Sequence, residues 1–254
     1  MSTDHEWERW GQKDPYFAVV TERKFRRDRM TAEARESFFD SGERHVDYIL
    51  HACRQLAGAA FAPRSVLDFG CGVGRVLLPL ARDVERAVGI DISATMLAEA
   101  RANADALGLG NVELLPSDDA LSRVHGTFDL VHSSITLQHI EPRRARKLFA
   151  RLVELVAEGG VGAIHATYAS RRHARNHGRA TLWDRRPSLR FWRPPARDLP
   201  GDPDMRMYHH DLNELTYLLQ AGGIDDVRMA FTDHAGEMGV FLFFTVPRAA
   251  GARA

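Results

Sequence analysis

Ten residues constrain this chain more than any other stretch: Val66-Leu67-Asp68-Phe69-Gly70-Cys71-Gly72-Val73-Gly74-Arg75. Ser65–Phe69 reads as a strand. Glycines at alternate positions after it let the backbone turn sharply into a helix, reaching about Arg82, and approach a ligand closely. The alternation continues downstream. Ala87–Ile92 reads as a second strand, and Ser93 caps a helix carrying Met96, Leu97, Ala100 and Ala104 on one face. Val112–Leu115 and Phe128–Ser133 are the third and fourth strands. Pro142 opens a helix with Leu148, Leu152 and Leu155 on its apolar face, Gly159-Gly160 ends it, and Val161–Thr167 is the fifth strand. Asp211 caps a last helix that stops at Gly222-Gly223. Asp226–Phe231 and Gly239–Val246 close the chain as an antiparallel pair. Strands alternating with helices predict an α/β protein. Its seven-stranded sheet is mostly parallel, with an antiparallel last strand and helices on both faces.

The chain has 254 residues, 44% hydrophobic and 27% charged, enough for one large domain and too apolar for wholesale disorder. Its 34 basic side chains balance 34 acidic ones, so no generally basic surface is indicated and nucleic acid is not the expected partner. Cys53 and Cys71 are too few for a disulfide framework and lack metal-site spacing. No apolar run approaches the roughly 18 residues of a membrane span. The opening MSTDHEWERW carries no apolar signal core. A cytoplasmic monomer or homodimer without a membrane partner is expected. Residues 1–62 read as a helical cover and 63–254 as the domain proper. An insertion at about 168–210, rich in Arg, Pro, Trp and His, breaks the alternation; a loop of that length is functional or disordered.

Asp91 closes the second strand 17 residues after Gly74, where a carboxylate can accept hydrogen bonds from both ribose hydroxyls. These two features alone also fit a nicotinamide cofactor. However, the G-x-G-x-G spacing followed by Arg75 lacks the third glycine of that pattern. Asp68 would also face a diphosphate unfavourably, whereas it suits a ligand with an amino group. Over residues 64–246 the sequence resembles the class I S-adenosylmethionine-dependent methyltransferases of the bacterial small-molecule type. The resemblance is carried by the D-x-G-x-G-x-G run at Asp68–Gly74, by Gly89-Ile90-Asp91-Ile92-Ser93, and by Asp118 in Leu115-Pro116-Ser117-Asp118. It continues in Phe128-Asp129-Leu130-Val131 leading to Leu137-Gln138-His139-Ile140, and in the closing strand pair.

The resemblance implies a Rossmann-like fold and S-adenosyl-L-methionine as cofactor. It would place Gly70, Cys71, Gly72 and Gly74 in the loop against the methionine portion, with Asp68 near the ammonium and Asp91 on the ribose. Ile92 and Met96 would pack on the adenine faces, and Asp118, with Asp119 as neighbour or alternative, would accept from the adenine amino group. Ser133 and Ser134 would border the sulfonium. Methyl transfer is an in-line displacement that gains much from alignment alone, but a hydroxyl acceptor also needs its proton removed. His139, just past the fourth strand, is the candidate base, or a support for the cofactor. Tyr168 is a better substrate contact than His165.

Two departures narrow the acceptor. The Asp/Asn-Pro-Pro-Tyr/Phe box of amino-directed nucleic-acid methyltransferases is replaced by His132-Ser133-Ser134-Ile135, and the Pro-Cys nucleophile of cytosine C5 enzymes is missing. Residues 171–197 hold nine arginines against one acid, Asp184, with Trp183, Phe191 and Trp192 interleaved. Arg171, Arg172 and Arg175, nearest Tyr168, could close over an anionic acceptor as bidentate forks. The same segment also reads as a partner, RNA or membrane-surface patch, or as a solvated loop. In the leader, Tyr16 and Phe17 are candidates to touch the acceptor or to anchor the leader on the core. His209-His210-Asp211 has metal-ligand residue types, but Asp211 is used as a helix cap, so no metal is expected and His209 is kept as a substrate contact. The expected reaction moves a methyl group to an oxygen or nitrogen of a small metabolite, a sugar or natural-product intermediate. The alternatives are RNA or protein methylation, a nicotinamide-dependent oxidoreductase, and a non-catalytic binding module.

Overall fold

The chain enters through α1 (Thr3–Lys13), α2 (Pro15–Val19), two short 3-10 turns and the long α3 (Ala32–Ala57). It then alternates through β1 (Ser65–Phe69), α4 (Leu77–Ala81), β2 (Arg86–Asp91), α5 (Ala94–Ala106), β3 (Val112–Pro116) and β4 (Phe128–Ser133). A 3-10 turn at Leu137–His139 leads to α6 (Pro142–Glu154) and β5 (Val156–Ser170). The two-residue strands β6 (Ala180–Thr181) and β7 (Met207–Tyr208) pair with each other, and α7 (Leu212–Ala221), β8 (Val227–His234) and β9 (Glu237–Thr245) complete the fold. This computed structural model describes residues 3–171, 180–181 and 201–248.

The seven-stranded sheet has the order β3-β2-β1-β4-β5-β9-β8, with β3 and β8 at its edges. The first five strands run parallel and β9 is antiparallel to both β5 and β8. Successive strand residues point to opposite faces, so two cores form. Leu67, Val131, Ile164 and Leu242 pack with Leu148, Leu152 and Leu219 from α6 and α7. Val66, Leu130, Ala163 and Phe243 pack with Ile49 and Cys53 of α3, Leu77 of α4 and Ala104 of α5. Thus α3 supports the sheet from beneath, whereas Trp10, Phe17, Phe25 and Phe38 make a third core that seats the leader on Met96.

Local chemistry explains most element ends. Thr31, Ser93, Glu141 and Asp211 accept hydrogen bonds from backbone N–H groups at the starts of α3, α5, α6 and α7, and Pro142 occupies the first turn of α6. Among the boundaries that differ from the sequence reading, two turn on glycines. The helix after the glycine loop starts only at Leu77, because Gly72 (φ 53°) and Gly74 (φ 90°) hold the preceding turn in left-handed conformations. Gly159 and Gly160 do not end α6, which stops at Glu154. They lie inside β5, where the register against β4 shifts between Phe128 and Leu130. A Cβ on Gly160 would come within 3.0 Å of the Phe128 and Asp129 carbonyls, so the pair marks a bulge.

Candidate active site

In a parallel sheet the loops after the strands gather at the carboxyl edge, and here they enclose a cleft of about 860 Å³, counted out to its open mouth. Its floor is Phe69, Gly70 and Gly72 after β1, with Asp91, Ile92 and Met96 after β2. Ser117 follows β3, and Ser134 through Thr136 with His139 and Ile140 follow β4. The leader roofs it with Thr3, Asp4, Trp7, Ala18 and Val19. Glu8 fastens that roof: its carboxylate accepts from Ser93 Oγ at 2.7 Å and Thr95 Oγ1 at 2.5 Å, at the electropositive start of α5.

Gly70 is required twice, by a φ of 77° and because a Cβ there would collide with the Thr136 side chain. Its N–H and that of Cys71 both donate to Ile90 O, at 2.8 and 3.0 Å, which pins the loop to β2. Asp91 ties the loops together, Oδ2 accepting from Gly72 N and Oδ1 from Ser93 N, each at 2.9 Å. Burial pushes its carboxyl up to about 6, reinforced by the charge of Asp68 and resisted by those backbone donors. A carboxylate at the floor, two glycines and an apolar wall of Ile92 and Met96 fit the ribose, chain and adenine of an adenosyl group.

The cleft therefore brings together Gly70, Gly72, Asp91, Ile92, Met96, Ser134 and His139. Other residues expected there lie elsewhere. Asp68 is turned beneath the loop, its Oδ1 2.8 Å from His132 Nδ1. The Cys71 thiol faces the core near Gly89, and burial raises its pKa far above that of a free thiol. Gly74 packs on Leu78. Ser133 is fully buried and donates to Phe69 O at 3.0 Å. Asp118 spends its carboxylate on its own turn, accepting from Ala120 N, Ser122 N and Ser122 Oγ, and Asp119 pairs with Arg144 Nε. Ser117, Asp4 and Arg144 are the polar groups that line this part of the cleft instead.

His139 stands in the cleft wall with Trp7 edge-on at 4.7 Å. Its Nδ1 lies 2.8 Å from Arg206 O, so Nδ1 carries the proton, and Nε2, 3.2 Å from Gln138 Nε2, accepts from that amide. Both nitrogens are thus engaged, and burial lowers its pKa to about 4. Gln138 is held in turn by Thr167 Oγ1, which donates to its Oε1 at 2.5 Å.

The acceptor-side residues are scattered. Tyr16 and Phe17 lie in the buried leader core: the Tyr16 hydroxyl donates to Glu99 Oε1 at 2.6 Å, and Phe17 stacks near Trp10. Both anchor the leader, because their surfaces are consumed by packing. Tyr168 lies against Phe231 with ring centroids 6.1 Å apart, and Arg171 is exposed and pairs with Asp233 at 2.7 Å. Arg172, Arg175 and the other arginines between residues 179 and 197, with Trp183, Phe191 and Trp192, lie outside the described residues. His209 is buried, with Nε2 donating to Glu237 Oε2 at 3.1 Å and Nδ1 left without a partner. Among the described residues no group of three or more His, Cys, Asp or Glu is placed to hold a metal ion, and no helix is long and apolar enough to cross a membrane.

Sequence reasoning missed Trp7, Asp4, Thr136 and Arg144, which reach the cleft through tertiary packing. It also missed a buried chain, Asp68–His132–His45, whose second link is a 3.0 Å contact between the Nε2 atoms of the two histidines. The only available signal was His132 beside the fourth-strand motif.

A family profile described as a methyltransferase domain matches residues 66–160. Among curated proteins, the chain is 46% identical over 70 residues to the 23S rRNA (uracil(1939)-C(5))-methyltransferase RlmD of Xylella fastidiosa, covering 28% of this chain and 15% of that protein. It spans half the length of an uncharacterized methyltransferase of Synechocystis, at 30% identity over 112 residues. Among solved structures, the magnesium protoporphyrin IX methyltransferase of Synechocystis with bound S-adenosylmethionine superimposes with a TM-score of 0.61. It is 18% identical, and the alignment covers 97% of this chain and 98% of that one. The N-methyltransferase NodS of Bradyrhizobium japonicum with S-adenosyl-L-homocysteine gives a TM-score of 0.57 at 14% identity, over 98% and 100% of the two chains.

Proposed function

We propose that this chain is a class I S-adenosylmethionine-dependent methyltransferase that methylates an oxygen or nitrogen of a small-molecule metabolite, a reading supported by the methyltransferase-domain match over residues 66–160. The observation that carries the acceptor class is the roof. Thr3, Asp4 and Trp7 of the chain's own leader line the cleft from above, and a roofed cleft supports a metabolite as acceptor over a folded polymer. When bound, S-adenosylmethionine supplies an electrophilic methyl group on a sulfonium, a leaving group that needs no protonation.

The protein's own residues position and enclose. Asp91 would take the ribose hydroxyls, with Gly72 N and Ser93 N holding its carboxylate in place. Ile92 and Met96 would flank the adenine, and the open backbone of Gly70 and Gly72 would let the methionine chain lie close to the loop. Trp7 and His139 close the wall against water, and Ser134 borders the transfer point. Alignment of acceptor and methyl group is the main rate term. His139 has no free lone pair for a hydroxyl proton. His209 keeps Nδ1 without a partner but is buried and does not line the cleft, so neither histidine is assigned as a base.

A second reading, methylation of RNA, is favoured by the 70-residue likeness to RlmD. The deciding experiment offers purified protein and S-adenosylmethionine to a panel of hydroxylated and amino metabolites, sugar nucleotides included, and separately to bulk RNA. S-adenosylhomocysteine release and product mass are measured. Turnover on RNA alone would replace the small-molecule reading.

A further inference from the structure

Arg26 has an unusual setting for a leader residue. It is only 4% exposed, and its guanidinium lies 3.5 Å from the centre of the Phe17 ring. Nη1 donates to Asp14 Oδ2 at 2.9 Å and to Asp202 Oδ1 at 3.0 Å, and Nη2 donates to Asp202 Oδ2 at 2.6 Å. Lys13 Nζ reaches Asp202 Oδ1 at 2.7 Å. Both carboxylates are buried, so two acids and two bases form a compensated, hydrogen-bonded knot of the kind that is costly to break on one side only. It joins the leader to a segment more than 170 residues away.

From Asp202 that segment runs as a strap behind the cleft wall, outside the cleft lining. Asp204 N donates to Glu6 Oε2 of the roof helix at 2.8 Å. Arg206 O takes the Nδ1 proton of His139 in the cleft wall. His210 then donates twice, from its backbone N to Thr167 O and from Nε2 to Leu137 O, both at 2.8 Å. Between these anchors lies His209. The roof and the strap therefore share their fastenings, Lys13, Asp14 and Arg26 at one end and Glu6 in the middle.

We propose that Arg26 is a positioning residue that makes roof and strap one body, so that closure of α1 over the nucleoside also orders the strap behind His139. The coupling rests on the adenosyl assignment of the cleft and is independent of which acceptor is used.

Amide hydrogen exchange with and without S-adenosylhomocysteine tests it. In the native protein, the nucleoside should slow exchange about tenfold both in the leader, residues 3–19, and in the strap, residues 202–210. In Arg26→Met, the loops around Asp91 should keep their full protection by the nucleoside, whereas the slowing in the strap should fall to less than about threefold. Arg26→Lys, which keeps the charge and loses the fork, should lie between. A merely structural role would speed strap exchange equally with and without nucleoside, leaving the ratio untouched. An unchanged ratio in Arg26→Met, or a native strap indifferent to the nucleoside, overturns the proposal. If Arg26→Met fails to fold, Asp202→Asn is read by the same ratio.

Discussion

His132 Nδ1 donates to Asp68 Oδ1 at 2.8 Å, across the paired carboxyl ends of β4 and β1. Both side chains are buried, so the acid of the glycine-loop motif is satisfied from within the protein. His132→Leu would leave that carboxylate unpaired, at a cost of about 2–3 kcal/mol in stability. His132→Asn, which retains a donor, should recover more than half of the loss. Urea unfolding of both variants measures it, and equal stabilities for the two would remove the bond from the account.

Asp91→Ala removes the carboxylate proposed to accept from the ribose hydroxyls, and S-adenosylhomocysteine affinity should fall by about 2–3 kcal/mol, roughly 30- to 150-fold. The native affinity should also fall with acidification. The Asp91 carboxyl, pushed up to about 6, becomes protonated below that pH and surrenders one acceptor oxygen. Calorimetric titration between pH 8 and pH 5 reads this, and a flat profile would contradict the assignment.

Acid should also destabilise the apo fold. Burial lowers His139 to about 4 and His165 to about 3, and burial together with His132 lowers His45 to about 2. Each is neutral in the fold yet protonated in the unfolded chain below about pH 6.5, so its stabilising contribution is full above that value and shrinks as pH falls. Asp91 opposes one of the three, because its raised pKa makes the fold the better proton binder below about 6. With three groups against one, these residues together should lower stability by roughly 2–3 kcal/mol per pH unit between about pH 6 and 4. Urea midpoints across that range test the slope.

Tyr16→Phe separates anchor from substrate contact. Loss of the 2.6 Å bond to Glu99 should cost about 1–2 kcal/mol in stability while leaving the acceptor KM unchanged. A raised KM with unaltered Tm would return Tyr16 to the acceptor site.

Asp91, Ile92 and Met96 were legible in the sequence because their positions follow from a strand end and a capped helix, both local. The seven-stranded, mostly parallel sheet with its antiparallel last strand was legible for the same reason, since alternating strands and helices leave few ways to pack. Asp68 defeated the reading: its partner lies 64 residues away on a strand brought alongside only by the fold. Asp118 failed for a local cause that the motif hides, its carboxylate being consumed by Ser122 and Ala120. Tyr16 depends on Glu99 and Asn103, on a helix whose distance from the leader no periodicity reveals. Trp7 and Arg144 came to the cleft unannounced, because a roof is a property of how pieces meet.

The sheet's two edges are unlike each other, and each is guarded against pairing with a neighbouring molecule. Edge β3 is five residues long and closes on Pro116, which offers no N–H to an incoming strand. Edge β8 is longer and shows Phe231 at 67% and Met229 at 41% exposure. The same strand carries Arg228 and Asp233, both exposed. Asp233 shares a strand face with Met229 and Phe231, and Arg228 lies on the other, so a strand laid against β8 would crowd a charge on each face.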